Sequence, residues 1–198
     1  MRILAFSDLH RDLEQAARLV EMSAEADLVL AAGDFASTHR GLEPTIDALA
    51  AIVTPTLLVP GNNETDEALR HACAAWEAAT VLHGDLTDFG GVAFYGLGAG
   101  IPTTPWEWSF DLTEEEAAER LAGCPDAAVL VLHSPPLGHA DLSSDDEHMG
   151  SRAILAAIED KRPRLVVCGH IHDSWGERST LGQTEIVNLG PSGTWFEL

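Results

Sequence analysis

Short unbroken apolar runs recur along this chain and alternate with stretches whose apolar residues fall three and four apart. Residues 2–7, 27–31, 56–59, 127–132 and 165–168 are such runs, and each reads as a buried strand. Residues 11–25 place Leu13, Ala17, Val20 and Ala24 at helical spacing, and residues 41–52 are read with Ile46, Leu49, Ala50 and Val53 on one helix face. A third helix over 65–77 opens on Thr65, Asp66 and Glu67, acids that suit the positive end of a helix. Thr113-Glu114-Glu115-Glu116 has the form of a capping box and starts a helix to about residue 122, and residues 150–160 predict a fifth. Strand–helix alternation implies parallel strands joined by helical crossovers. The pattern changes over 80–98, where short strand-like pieces separated by Gly84, Gly90 and Gly91 predict antiparallel hairpins. The tail, 175–198, reads as short strands with turns at Gly182 and Gly190-Pro191. No repeat or linker interrupts the pattern, so an α/β fold in a single domain, residues 1–198, is expected.

Two segments lack either periodicity, 97–112 and 134–149, and long loops of this kind in compact domains often carry function. The first holds Trp106, Trp108 and Phe110. Aromatic residues usually pack inward, so a small satellite core beneath the loop is the expectation. The alternative is a lid or a contact between copies of the chain, which leaves a homo-oligomer open.

Composition narrows the partners. The formal charge is −21, and Lys161 is the only lysine. Such a charge repels polyanions, which argues against general nucleic-acid binding. It does not exclude a phosphate substrate, because screening acts within about 8 Å and bound divalent cations would reverse the local field. No apolar run approaches the ~20 residues of a membrane span, and the first residues do not form a signal peptide, so a cytoplasmic location is expected. Cys73, Cys124 and Cys168 are odd in number and widely spaced, which supports neither a disulfide framework nor a zinc knuckle.

The chemistry lies in five segments, almost all of which end an apolar run. They are Asp8-Leu9-His10, Gly33-Asp34, Gly61-Asn62, an isolated His133 and Gly169-His170-Ile171-His172. On an extended strand end, Asp8 and His10 would face the same way and reach one ion. Gly33, Gly61 and Gly169 allow sharp turns beside the candidate ligands. Carboxylate, imidazole and amide oxygen together suit Mn, Fe, Zn or Ni better than Ca or a soft metal. Two divalent ions less the charges of Asp8, Asp34 and a bridging hydroxide leave a positive balance that would hold a phosphoryl group. Each segment alone is weak evidence; their order and strand-end placement make the signal specific.

With these residues the chain resembles the calcineurin-like metallophosphoesterase superfamily. It looks closest to small prokaryotic phosphoesterases related to the cyclic-nucleotide phosphodiesterase branch, a likeness supported by His133-Ser134-Pro135-Pro136, Gly169-His170-Ile171-His172 and the Gly190-Pro191 turn. The resemblance implies a four-layer α/β/β/α sandwich of two mixed sheets with the site at the strand C-termini. It implies two divalent metal ions, one held by Asp8, His10, Asp34 and His172, the other by Asp34, Asn62, His133 and His170, with Asp34 bridging. The implied reaction is hydrolysis of a small phosphodiester or phosphomonoester by a metal-bound hydroxide, with Asp34, Asn63 and His133 as the catalytic set.

The chain departs from the family pattern where Gly-Asn-His usually stands, because here the segment reads Gly61-Asn62-Asn63-Glu64. Asn63 can hydrogen-bond a phosphate oxygen but cannot supply a proton at neutral pH. General acid catalysis typically contributes 10²–10⁴-fold, so leaving groups that need little protonation, such as aryl groups, are favoured. A second departure is Ser37, where the family often has another acid. His39, His139 and His148 sit in loops near the ligand segments. His39 and His148 are candidate substrate contacts, the latter because Gly150-Ser151 opens a helix whose amides could meet an anion. Glu64 is expected to hold the local loop. The alternative to an enzyme is a metal-binding scaffold or protein-interaction module of low turnover on the same fold.

Overall fold

A computed structural model describes residues 1–198. Two mixed sheets form its centre. The first comprises β1 (Arg2–Phe6), β2 (Leu28–Ala31), β3 (Thr56–Leu58), β4 (Ala79–Val81) and β11 (Thr194–Glu197), in the order β11-β1-β2-β3-β4. β11 runs antiparallel to β1 and the other pairings are parallel. The second comprises β5 (Asp85–Phe89), β6 (Val92–Leu97), β7 (Val129–Leu132), β8 (Leu165–Cys168), β9 (Arg178–Leu181) and β10 (Thr184–Asn188), in the order β5-β6-β7-β8-β10-β9. Its edges, β5 and β9, are antiparallel and the strands between are parallel.

Three cores define four layers. Ile3, Leu28, Leu30 and Leu57 of the first sheet meet Phe94, Val129, Leu165 and Val187 of the second, so a buried apolar layer separates the sheets. Alternate residues of the same strands face outward: Leu4, Phe6, Val29 and Leu58 pack beneath α1 (Leu13–Ser23), α2 (Leu42–Leu49) and α3 (Asp66–Ala72). On the far side Tyr95, Leu130, Val166 and Ile186 pack beneath α4 (Glu114–Leu121) and α5 (Arg152–Lys161). Strands buried on both faces need apolar residues at every position, which is why they read as unbroken runs rather than alternations. The result is the α/β/β/α sandwich. No helix is long and apolar enough to cross a membrane.

Several helix details depart from the sequence pattern. In α1 the buried positions are Ala16, Leu19 and Ser23, with Leu13 49% exposed. Asp12 caps the helix by accepting from the Gln15 N–H at 2.9 Å, and this start turns Leu13 into solvent. After α2, Ile52 rather than Val53 enters the core; Val53 is 88% exposed because the chain has left the helix by then. The third helix ends at Ala72, followed by a single tighter turn, Cys73–Ala75. Thr113 and Glu116 form the expected capping box. The hairpin over 80–98 is present as antiparallel β5–β6, whereas β4 adds to the first sheet as a parallel edge.

Candidate functional site

β1, β2, β3, β7 and β8 all deliver their following residues to one edge of the sandwich, and the five segments meet there. Asp8, His10, Asp34 and His172 each point one ligand atom into a common volume, all within 4.8 Å of one another. Beside it, His133 Nε2 lies 3.3 Å from Asn62 Oδ1 and 3.5 Å from Asp34 Oδ1, and His170 Nδ1 lies 3.2 Å from the same Asn62 oxygen. Asp34 faces both groups, since its Oδ2 lies 3.4 Å from His10 Nε2.

The local backbone is unusual. Asp8, His10, Asp34 and His170 all have positive φ, at 55°, 44°, 60° and 69°. The chain after β1 is therefore not extended, as the i, i+2 argument assumed. Asp8 and His10 converge through left-handed turns held by Asp8 N–H to Gly33 O and His10 N–H to Asp34 O, both 2.9 Å. Non-glycine residues in this region are strained, and strain of this kind gathers at functional sites. Gly33 and Gly61 permit the loops to touch. A Cβ on Gly61 would stand 2.0 Å from Asp34 Oδ1, and one on Gly33 would stand 2.6 Å from Gly61 N.

Neighbouring groups fix the orientation of each ligand. His133 donates from Nδ1 to the Ala32 carbonyl at 2.8 Å, and His10 from Nδ1 to the Ala36 carbonyl at 3.1 Å. Each bond places the proton on Nδ1 and leaves the Nε2 lone pair aimed inward. Asn62 donates through Nδ2 to Ser109 Oγ at 2.8 Å, and Ser109 donates to Asp111 at 2.6 Å, so the Asn62 oxygen is the atom that faces the site. Asp8 accepts from Ser7 Oγ at 2.5 Å, from the His170 amide at 3.1 Å and from the Trp175 indole at 3.1 Å.

These bonds supply a test of whether a cation fits. As a neutral imidazole with its proton on Nδ1, His133 presents a lone pair to the Asn62 oxygen at 3.3 Å. Acceptor facing acceptor is repulsive unless a positive charge lies between them. The electrostatics agree. Burial and the Asp8 carboxylate push Asp34 up to about 7, against the lowering effect of His10 and of two Asn63 hydrogen bonds. Burial, followed by the proximity of His133, His172 and His10, holds His170 well below the usual imidazole range. A buried carboxyl and a neutral His170 imidazole crowded together suit a divalent cation of the borderline kind.

Glu64 is the buried brace of the site. It accepts from the backbone N–H of Asp34 (2.8 Å), Ala36 (2.9 Å) and Gly61 (2.7 Å), tying the β2 and β3 loops together as expected. Burial and the Asp34 charge push its pKa up to about 7.

The remaining sequence candidates separate. Asn63 lines the cavity, but its amide is committed within the protein. Nδ2 donates to Asp34 Oδ2 at 2.7 Å, and Oδ1 accepts from the Thr38 amide at 2.7 Å, so Asn63 positions Asp34. His39 does not line the cavity; it bonds the Trp108 carbonyl through Nε2 and meets the Trp108 ring edge-on. His148 pairs with Asp141 at 2.7 Å and also lies outside the lining. The start of α5 is not an open anion site, because Glu114 already accepts from the Arg152 and Ala153 amides (2.9 and 2.8 Å) and from the Ser151 hydroxyl (2.7 Å). His139 bonds Ser179 at 2.7 Å. The aromatic loop is not a satellite core: Phe110 packs inward, but Trp106 and Trp108 are 51% and 37% exposed. Trp175 was not singled out by its sequence context. Its role depends on an indole bond to Asp8, 167 residues away, which no local pattern reveals.

A cavity of about 550 Å³ is lined by His10, Asp34, Asn62, Asn63, His170 and His172 and also by Trp106 and Trp108.

The profile of the calcineurin-like phosphoesterases matches residues 1–174. Human metallophosphoesterase domain-containing protein 1 is 34% identical over 95 residues, 45% of this chain and 29% of its own length. The chain spans under a third of the curated relatives it matches, 28%, 26% and 29% of three of them. The protein TT1561 of Thermus thermophilus has a similar fold, with a TM-score of 0.77 at 20% identity, covering 96% of this chain and 90% of that one. A dimetal phosphatase from Danio rerio is similar with a TM-score of 0.63 at 12% identity, covering 96% and 88%. At these identities the two structures speak for the fold alone.

Proposed function

The chain belongs to the calcineurin-like phosphoesterase family, and from that membership we propose that it is a dinuclear metal-dependent hydrolase of a small phosphate ester, a diester in preference to a monoester. The observation that carries this reading is the two-sided placement of Asp34, with Oδ2 3.4 Å from His10 Nε2 and Oδ1 3.5 Å from His133 Nε2. Asp8, His10, Asp34 and His172 would hold one cation. Asp34, Asn62, His133 and His170 would hold the other. Bound Mn, Fe, Zn or Ni would activate water for attack at phosphorus and neutralise the phosphoryl oxygens.

The protein's own groups then set geometry and proton supply. Asn63, Glu64 and Gly61 fix Asp34 so that neither carboxylate oxygen can swing away. The Nδ1 hydrogen bonds of His10 and His133 to backbone carbonyls orient both rings so that Nε2 faces the site. Asn63 has no titratable proton to offer a departing oxygen, and its amide is already engaged. The substrate is therefore an ester whose leaving group departs as a weak base.

The test is hydrolysis of bis-p-nitrophenyl phosphate and p-nitrophenyl phosphate by protein loaded separately with Mn, Fe, Zn and Ni. Metal-dependent turnover, faster on the diester, is expected. No turnover of either ester with any of the four metals, in protein of verified fold, would reject the reading. A second reading, a binding scaffold of low turnover, draws support from the exposed Trp106 and Trp108 and from the committed Asn63 amide. Such a scaffold would take up metal without gaining activity from it.

A further inference from the structure

We propose, on the basis of that phosphoesterase reading, that Trp106 and Trp108 form a subsite for a planar aromatic ring, aryl or heteroaryl, carried by the ester.

The two indoles are stacked on each other with centroids 5.6 Å apart and planes 9° from parallel. They are 51% and 37% exposed, although other large aromatics of this chain, such as Phe6, Phe35 and Tyr95, are fully buried. Their position is built, not incidental. His39 meets the Trp108 ring edge-on at 6.3 Å and bonds its carbonyl. The same loop is fastened to a candidate ligand at two points, Phe110 N–H to Asn62 O at 2.9 Å and Asn62 Nδ2 to Ser109 Oγ at 2.8 Å. The aromatic wall is thus held in fixed register with the inward-facing Asn62 oxygen. A ring held there would meet surfaces already ordered before it arrives, which lowers the entropic cost of binding.

The shape of the site favours a small molecule. The wall lines the same cavity as His10 and His172, a volume of about 550 Å³, within the ~300–1,000 Å³ usual for small ligands. Beside the indoles, one polar residue of the lining is already committed. Thr104 already directs both its amide and its hydroxyl at Asp111 Oδ2, at 2.7 and 2.8 Å. The indoles present broad flat faces, and offset stacking on indole favours a flat ring over a saturated one of similar size.

The test compares three phosphonates by calorimetry on manganese-loaded protein. Benzylphosphonate and cyclohexylmethylphosphonate share a headgroup and a carbon count and differ in planarity; methylphosphonate reports the headgroup site alone. The wild type is expected to bind the benzyl compound about tenfold more tightly than the cyclohexylmethyl compound. Trp106→Ala should bring the two within about twofold of each other. Trp106→Leu, which keeps bulk without a flat face, should do the same, and it decides the matter if the alanine variant fails to fold. Equal affinities in the wild type, or a preference that survives both substitutions, would overturn the subsite. Failure of wild-type protein to bind any of the three, methylphosphonate included, would instead reject the phosphoesterase reading on which the subsite depends.

Discussion

Replacing Glu64 with alanine removes the acceptor that joins the β2 and β3 loops. Three buried amides, those of Asp34, Ala36 and Gly61, would lose their partner. A buried donor left unsatisfied costs about 1–3 kcal/mol, so the gross loss is about 3–9 kcal/mol. Two effects reduce it: water can enter the space left by the side chain, and the charge of Glu64 is itself costly in this environment. Its carboxyl is raised from 4.5 to about 7 by burial and by Asp34. A carboxyl whose folded pKa lies above the unfolded one contributes stability that is fully present below the unfolded value. That stability is lost as pH rises through the folded value. For Glu64 the window runs from about 4.5 to about 7, and the loss across it is on the order of 3 kcal/mol. The expected cost of Glu64→Ala in metal-free protein is thus about 5 kcal/mol near pH 4.5, falling to about 2 kcal/mol at pH 8. Glu64→Gln keeps one accepting oxygen and lacks the titration, so it should cost about 1–2 kcal/mol near pH 4.5 and nothing, or less than nothing, at pH 8, where the wild type carries the buried charge. Urea unfolding of the three proteins with chelator present, at both pH values, measures this. A cost below about 1 kcal/mol throughout, or one that does not shrink as pH rises, would refute the brace.

Other perturbations test the site at separate points. Asp34→Ala or His133→Ala should lose at least one equivalent of bound metal by elemental analysis while keeping a cooperative unfolding transition; retention of the full complement would contradict the ligand assignment. Trp175→Phe keeps a ring against His172 and Gly190 but removes the indole bond to Asp8. A net hydrogen bond of about 1 kcal/mol predicts roughly fivefold weaker manganese binding in a titration, and unchanged affinity would mean that Ser7 and the His170 amide hold Asp8 unaided. Gly61→Ala would place a methyl group 2.0 Å from Asp34 Oδ1 and force two loops apart. Destabilisation of about 1–3 kcal/mol by thermal unfolding, together with metal loss, is expected, and a variant as stable as the wild type would be inconsistent with the packing described.

The strands and the α/β class were legible in the sequence because strands covered on both faces carry apolar residues at every position, whereas the two-sheet sandwich followed from the family resemblance. The candidate ligands could be picked out because they follow those strands directly, and the structure brings them to one edge. Helix faces were read less well. Leu13 and Val53 are apolar yet exposed, since caps and helix ends, rather than spacing alone, decide which way a residue turns. Mechanism was harder still. That Asp8 and His10 converge through left-handed turns cannot be inferred from an i, i+2 spacing. Nor can the capture of the α5 amides by Glu114, or the bond from Trp175 to Asp8, since each joins residues far apart in the chain. Trp106 and Trp108 were visible as aromatics, but only the fold brings them into the same cavity as the histidines.

The most direct measurement is anomalous diffraction from crystals grown with manganese. Two peaks, one on each side of the Asp34 carboxylate, with Asp8, His10 and His172 around the first and Asn62, His133 and His170 around the second, are predicted. A single peak, or none with the side chains otherwise as described, would contradict the two-cation site.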